Sequence, residues 1–329
     1  MQRRDVIRGS LLAAGAAWLE GGRSLLRNAN AAEVGAAATR PVTTAVADLI
    51  RRPIPVSGEL LPMLGVGTNN YSPTTPQERA TRKQVLQELT AAGASVIDTA
   101  PLYRDSERVI GELLAEIGNR DKVFLATKVT AQSGERAEGE AMLQESMRRL
   151  RSEVLDLVQV HNLIGATAML PVLREWQREQ RIRYVGITTS RDEQYAEMLG
   201  IMRSTPLDFI QVDYSIANRS AAAEILPLAA ERTTAVLINL PFGGRRDGNL
   251  FARVRDRPLP SWAGEFDATS WGQFFLKYVL SHPAVTCAIP GMTRLANLAD
   301  NLGAARGRLP DADQRKRMEV FWDEFAADA

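Results

Sequence analysis

Eight short apolar runs recur along the chain at similar intervals, and this rhythm constrains the fold more than any other feature. They are LGVG ending near Gly67, ASVIDTA near residue 97, VFLATKV near 126, LDLVQVH near 158, RYVGITT near 186, DFIQVDY near 211, AVLINLP near 238 and TCAIPG near 288. Longer segments with helical periodicity lie between them, among them Gln77 to Ala92, Ser106 to Ile117, Glu138 to Ser152, Ala168 to Gln180 and Trp271 to Ser281. Strands joined through helices pair in parallel, and strands apolar along their length are buried on both faces. Eight such units in about 260 residues match a (β/α)8 TIM barrel. An open doubly wound sheet is the rival, but LGVGTNN ends the first strand without a Gly-x-Gly-x-x-Gly turn.

RPIPVSGELL places a Ser57-Gly58 turn between two apolar runs, which predicts a β-hairpin capping the barrel bottom. DADQRKRMEVFWDEF predicts a C-terminal amphipathic helix, and Gly243 to Ala268 is the longest irregular stretch, of the length that is usually functional. The first residues read as an address: RRDVIRG precedes an Ala- and Gly-rich apolar run too short to span a bilayer. This pattern points to the twin-arginine (Tat) route, with a small-x-small cleavage site at Ala29, Asn30 and Ala31. The expected organisation is a signal over 1–31, a flexible leader over 32–52 and one barrel domain over 53–329. It implies the Tat machinery as a partner, a periplasmic destination and no stable membrane insertion after cleavage. The alternative is a surface helix whose Arg3-Arg4 pair is simply solvated.

Charge and rare residues exclude several functions. With 40 Lys+Arg against 39 Asp+Glu and a formal net charge of +1, the chain has no electrostatic footprint for nucleic acid. A single Cys287 excludes an internal disulfide and thiolate zinc sites, and two His exclude a three-His metal site, so no metal is expected. Any histidine chemistry falls to His161 or His282.

In such a barrel the chemistry sits at the C-terminal ends of the strands, where side chains from different units converge. Those ends carry Asp98 with Tyr103 just beyond it, Lys128 and His161. Together they suit proton delivery to a carbonyl oxygen. A phenol with its ordinary pKa of about 10 is a poor acid near neutrality, an ammonium beside it favours the phenolate, and a carboxylate keeps that ammonium charged. A histidine then positions the carbonyl by donating a hydrogen bond. Singly, Asp98 and Lys128 read as a structural ion pair, Tyr103 as a half-exposed aromatic and His161 as a core-rim histidine; their coincidence at strand ends favours the site. His282, between a helix and the last strand, is read as structural.

These residues carry a resemblance to the aldo-keto reductases, running from about Val56 to Asn301. DTAPLYRDSE (Asp98 to Glu107) resembles the family's Asp-Thr-Ala-x-x-Tyr-x-x-Ser-Glu, ATKV holds Lys128 and DLVQVHN holds His161. The resemblance implies a catalytic tetrad of Asp98, Tyr103, Lys128 and His161 with Tyr103 as general acid, and an NADP(H) cofactor, with NAD(H) left open. It places the nicotinamide carboxamide at Thr188, Thr189 and Gln211, and the pyrophosphate under Pro241, Phe242, Gly243, Gly244 and Arg245. The adenosine end falls at Gly291, Arg294, Asn297 and Asn301; Gly291 stands where the family often has Lys, and Asn297 where it has the Arg that grips a 2′-phosphate. Asn239 occupies the position of a frequent stacking Tyr. Tyr71, Asn162 and Trp262 are expected to wall the pocket of a small-molecule carbonyl. The expected reaction is NAD(P)H-dependent reduction of an aldehyde or ketone. The alternatives are a sugar epimerase or isomerase that retains its nicotinamide, and a non-catalytic redox-sensing module.

Overall fold

A hairpin of β1 (Arg51–Pro53) and β2 (Leu60–Pro62) opens the fold in this computed structural model, which describes residues 48–244 and 248–327. Gly58, at φ 76°, supplies the left-handed residue that its tight turn requires. The eight predicted runs then follow as β3 (Val66–Gly67), β4 (Val96–Asp98), β5 (Phe124–Val129), β6 (Leu155–His161), β7 (Ile182–Thr188), β8 (Phe209–Asp213), β9 (Ala235–Asn239) and β10 (Cys287–Ala288). All neighbours pair in parallel in chain order. The ring closes between first and last barrel strands, where Gly65 N donates to Ala288 O and Ala288 N to Met63 O, each at 2.9 Å. Only glycine suits this seam: a Cβ on Gly67 would lie 2.6 Å from Ile289 O. The fold is a (β/α)8 barrel.

The helices α1 (Pro76–Ala91), α2 (Ser106–Ile117), α3 (Arg136–Leu150), α4 (Ala166–Arg178), α5 (Tyr195–Ser204) and α6 (Ile225–Glu231) follow successive strands. After β9 come α7 (Leu250–Arg253) and α8 (Trp271–Leu280), and after β10 come α9 (Leu295–Ala304) and α10 (Ala312–Ala327). Helices between the strands bury apolar stripes in the core, as with Val109, Ile110, Leu113 and Leu114 of α2 or Met169, Leu173 and Trp176 of α4.

Alternation along the strands grades the interior. Phe124, Ala126, Leu157, Tyr184, Phe209, Ala235, Leu237 and Cys287 form a separate apolar cluster with Val96 and Ile289, and Ile54 and Leu61 of the hairpin region join it. Two residues further along each strand, with side chains on the same face by the period of two, stand Asp98, Lys128, Gln159, Gln211 and Asn239, and after another step His161. The plug is therefore apolar and the mouth polar.

Several boundaries differ from expectation. Residues 48–52, assigned to a flexible leader, belong to the barrel base: Leu49 is buried, Ile50 N donates to Ala305 O, and Arg52 donates to the carbonyls of His282, Pro283 and Val285. The stretch from Gly243 to Ala268 holds α7 and a 3-10 turn (Ser261–Phe266) where an irregular loop was expected, because its aromatic residues pack on α8 and α10. The predicted signal lies outside the described residues. Among those described, no helix is long and apolar enough to cross a membrane.

Candidate active site

Register brings the strand-end residues together. Asp98 pairs with Ala126, Lys128 with Gln159, His161 with Thr188 and Thr188 with Gln211, so five successive strands deliver one polar layer. Lys128 Nζ donates to Asp98 Oδ2 at 2.6 Å and to Thr99 O at 2.9 Å, and both side chains are buried. Asp98 Oδ1 accepts from Gln211 Nε2 at 2.9 Å and from Gln159 Nε2 at 3.4 Å. Burial by itself would lower the Lys128 pKa; the charge of Asp98, then the Tyr103 phenol, outweigh it and hold the ammonium above its ordinary range. Lys128 is therefore a fixed cation at neutral pH, 4.9 Å from the centroid of the Tyr103 ring.

Tyr103 is placed by its loop. Its N–H donates to Ala100 O at 3.0 Å, and its carbonyl accepts from Ser106 N at 3.0 Å and Ser72 Oγ at 3.3 Å. Ser106 Oγ reaches back to Thr68 O, while Glu107 accepts from Thr127 Oγ1 at 2.7 Å, tying the start of α2 to both neighbouring strands. The motif's Ser and Glu thus build the platform for its Tyr. Burial raises the Glu107 pKa, against the hydrogen bonds from Thr127 and Ser146 and the charge of Arg149.

His161 stands edge-on to Tyr103, with ring centroids 6.0 Å apart and an interplanar angle of 86°. Burial, then the charges of Lys128 and Arg191, depress its pKa to about 3, and burial with Arg315 and Arg52 depresses that of His282 to about 4. His161 is thus a neutral hydrogen-bond donor in the working range, not a proton reservoir. The sign for stability follows: below the ordinary histidine pKa of about 6.5 the unfolded chain takes up protons that the fold refuses. Stability is full above that pH and is lost as pH falls towards 4. Melting temperature recorded from pH 7.5 to 4 is expected to drop, less steeply in His282→Gln; identical slopes in the two proteins would contradict the assignment.

The mouth is divided. A cavity of about 300 Å³ is lined by Asn69, Tyr103, His161, Asn162, Thr188, Ser190, Gln211, Asn239 and Leu240. A second, of about 180 Å³, runs between the loops after β3, β9 and β10 and shares Asn69, Tyr103 and Leu240; Pro241, Phe242, Gly243 and Gly291 are in its wall. A third, of about 310 Å³, takes Gly243 and Gly244 with Ser190 and Asp213. Thr188 and Gln211 are bonded to each other at 2.9 Å, and Thr189 is buried behind the wall. Arg245 lies outside the described residues.

Other expected site residues lie elsewhere. Arg294 and Asn297, at the start of α9, are exposed, and Asn301 is buried in that helix; none of the three lines these cavities. Tyr71 is fully buried and donates to Met292 O at 2.9 Å, so it braces the loop after β10 instead of walling the pocket. Trp262 packs on Phe266, Phe274 and Phe321 under the Arg317 guanidinium, away from the mouth. Gln159 was missed although the alternation of LDLVQVH points it inward with His161. Among the described residues no cluster of His, Cys, Asp or Glu is arranged to hold a metal.

The mouth has features that fit a nucleotide. Gly243 has φ 83°, and a Cβ built on Gly291 would meet nothing closer than Asn69 Oδ1 at 3.9 Å, so any side chain there would enter the second cavity. Asn239 Oδ1 and His161 Nδ1 are buried without partners among the described residues, at a cost of about 1–3 kcal/mol each for an unpaired group.

Comparison with known proteins agrees with this geometry. The sequence profile described as "Aldo/keto reductase family" matches residues 63–245. The chain is 30% identical to aldo-keto reductase YhdN of Bacillus subtilis over 159 residues, which is 44% of this chain and 47% of that protein. It is 27% identical to pyridoxine 4-dehydrogenase of Escherichia coli over 256 residues, covering 72% of this chain and 85% of the relative. An aldo-keto reductase of Klebsiella pneumoniae solved in complex with NADPH superposes with a TM-score of 0.63 at 22% identity, covering 84% of this chain and 96% of the other. With its Asp98-Tyr103-Lys128-His161 layer assembled at the barrel mouth and the profile matched over more than half its length, the chain belongs to the aldo/keto reductase family.

Proposed function

We propose that this protein reduces a small polar aldehyde or ketone to the alcohol with NADP(H), or with NAD(H), as the electron source. The observation that carries the reading is the buried Lys128 ammonium, held 2.6 Å from Asp98 and packed against the Tyr103 ring at the mouth of the barrel. When bound, the reduced nicotinamide supplies a hydride. The side chains handle the rest: His161 orients the carbonyl oxygen, Tyr103 releases its proton to that oxygen, and Lys128 stabilises the phenolate left behind. Thr188 and Gln211 would hold the carboxamide, with Thr189 beside them. Pro241 to Gly244 and Gly291 would hold the pyrophosphate, and Arg294 offers a guanidinium for a 2′-phosphate.

The substrate class follows from the wall of the main cavity. Asn69, Asn162, Ser190 and Asn239 offer neutral donors and acceptors, and among the described residues Leu240 is its only aliphatic side chain and no charged residue lines it. A hydroxylated, uncharged carbonyl compound suits it better than an aromatic ketone or a carboxylate. The pyridoxine 4-dehydrogenase relative and the NADPH-bound Klebsiella structure support the same reading. Residues 1–31 are proposed to route the folded protein through the Tat pathway to the periplasm, which export lost on changing Arg3 and Arg4 to Lys would support and unaltered export would refute. Titration of intrinsic fluorescence with NADPH and NADH, followed by oxidation of the preferred nucleotide with a carbonyl panel, tests the main proposal. Saturable quenching and turnover of hydroxylated aldehydes are expected; binding of neither nucleotide overturns it.

A further inference from the structure

His161 is followed by a turn that its own sequence does not favour. Ile164 N donates to His161 O at 3.1 Å, and both central residues are left-handed, Asn162 at φ 52° and Leu163 at φ 60°. This is the pattern of a type I′ turn, which Asn accepts and a branched apolar residue does not. Rotating the central peptide, as in a type II′ turn, would return Leu163 to negative φ, and the atom that swings in that change is the carbonyl oxygen of Asn162. That oxygen is held by one side chain: Gln194 Nε2 donates to it at 2.8 Å.

Gln194 comes from the 3-10 turn Asp192–Gln194 after β7, and its other end is equally determined. Its Oε1 accepts from Thr189 Oγ1 at 2.5 Å, and that hydroxyl already accepts from Arg191 N at 3.1 Å, which leaves its proton free to donate. With the Thr189 hydroxyl as donor and the Asn162 carbonyl as acceptor, the amide can face only one way. We infer that Gln194 is a positioning residue for this site: by locking the Asn162 carbonyl to the Thr189 hydroxyl it keeps the His161–Asn162 edge turned into the carbonyl pocket. The inference rests on the reductase reading for its consequence in catalysis, and on the hydrogen-bond chain alone for the clamp. It also ties the end of β7, beside the expected carboxamide site, to the side chain that orients the substrate.

The chain's two histidines make the test direct. Imidazole nitrogen spectra of ¹⁵N-histidine-labelled protein without nucleotide should show the His161 signals shifted or broadened in Gln194→Ala, with those of His282, packed on Tyr214, unchanged as the control for folding. The kcat for a carbonyl substrate is expected to fall about ten-fold with its KM raised, while NADPH affinity stays the same. Gln194→Glu keeps an acceptor for Thr189 but has no proton for Asn162, so it should behave like the Ala variant. An unchanged His161 spectrum in Gln194→Ala, or a wild-type kcat in Gln194→Glu, overturns the clamp. Lack of turnover in the wild-type protein overturns the reductase reading instead, and the spectrum still decides the clamp.

Discussion

Tyr103→Phe is expected to lower kcat for carbonyl reduction by about 10²–10⁴-fold while nucleotide affinity stays within about two-fold. The substitution removes one hydroxyl. The ring remains to pack near Lys128 and His161, and the contacts that place the loop are made by the backbone of residue 103 and by Ser72, Ser106 and Glu107. Stability should therefore change little, and the loss should fall on kcat and kcat/KM alike, the signature of an interaction made only in the transition state. Stopped-flow oxidation of NADPH by the best carbonyl of the panel, with a parallel fluorescence titration, separates the two. Rates undiminished in Tyr103→Phe would remove Tyr103 from the proton path.

Lys128→Met is expected to cost both activity and fold. Lys128 is 1% exposed and its ammonium makes the closest contact to Asp98. Removing the ammonium strands a carboxylate that, among the described residues, keeps only the side-chain amides of Gln211 and Gln159 as partners. Removing one partner of a buried ion pair costs about 3–5 kcal/mol, and at about 2–4 °C per kcal/mol for a domain of this size the melting temperature should fall by roughly 10 °C. The double variant Asp98→Asn/Lys128→Met carries no uncompensated charge and should regain most of that loss, yet neither protein should reduce a carbonyl. A double variant no more stable than Lys128→Met would show that the stranded charge is not the cause.

Most of the barrel was legible in the sequence because its strands are apolar on both faces and its helices are not, so the two periods separate cleanly. The meeting of four side chains at the mouth was legible for the same reason: Asp98, Lys128 and His161 are polar interruptions at the ends of apolar runs, and Tyr103 follows one of them by five residues. Errors gathered where no period operates. Tyr71 lies just past β3, and the bond from its N–H to Thr68 O at 3.0 Å accompanies a turn of the chain into the core, which three letters beyond a strand do not reveal. Trp262 was assigned to the pocket because it stands in a long loop after β9; aromatic neighbours distant in sequence, Phe274 and Phe321, claim it instead. Gln194 had no local signal at all. Its partner Asn162 is 32 residues away, and only the adjacency of β6 and β7 makes them meet.

The apolar base beneath the polar layer makes the barrel a vessel with one opening. Ile54 and Leu61 join Phe124, Tyr184 and Phe209 in filling its lower end with apolar side chains. On the proposed reductase reading, fuel, feedstock, product and the proton that recharges the phenol would all share one doorway. Traffic at that rim, where Asn69 and Leu240 border both cavities, would then be a step of the cycle in its own right, able to limit throughput even where the chemistry below is fast.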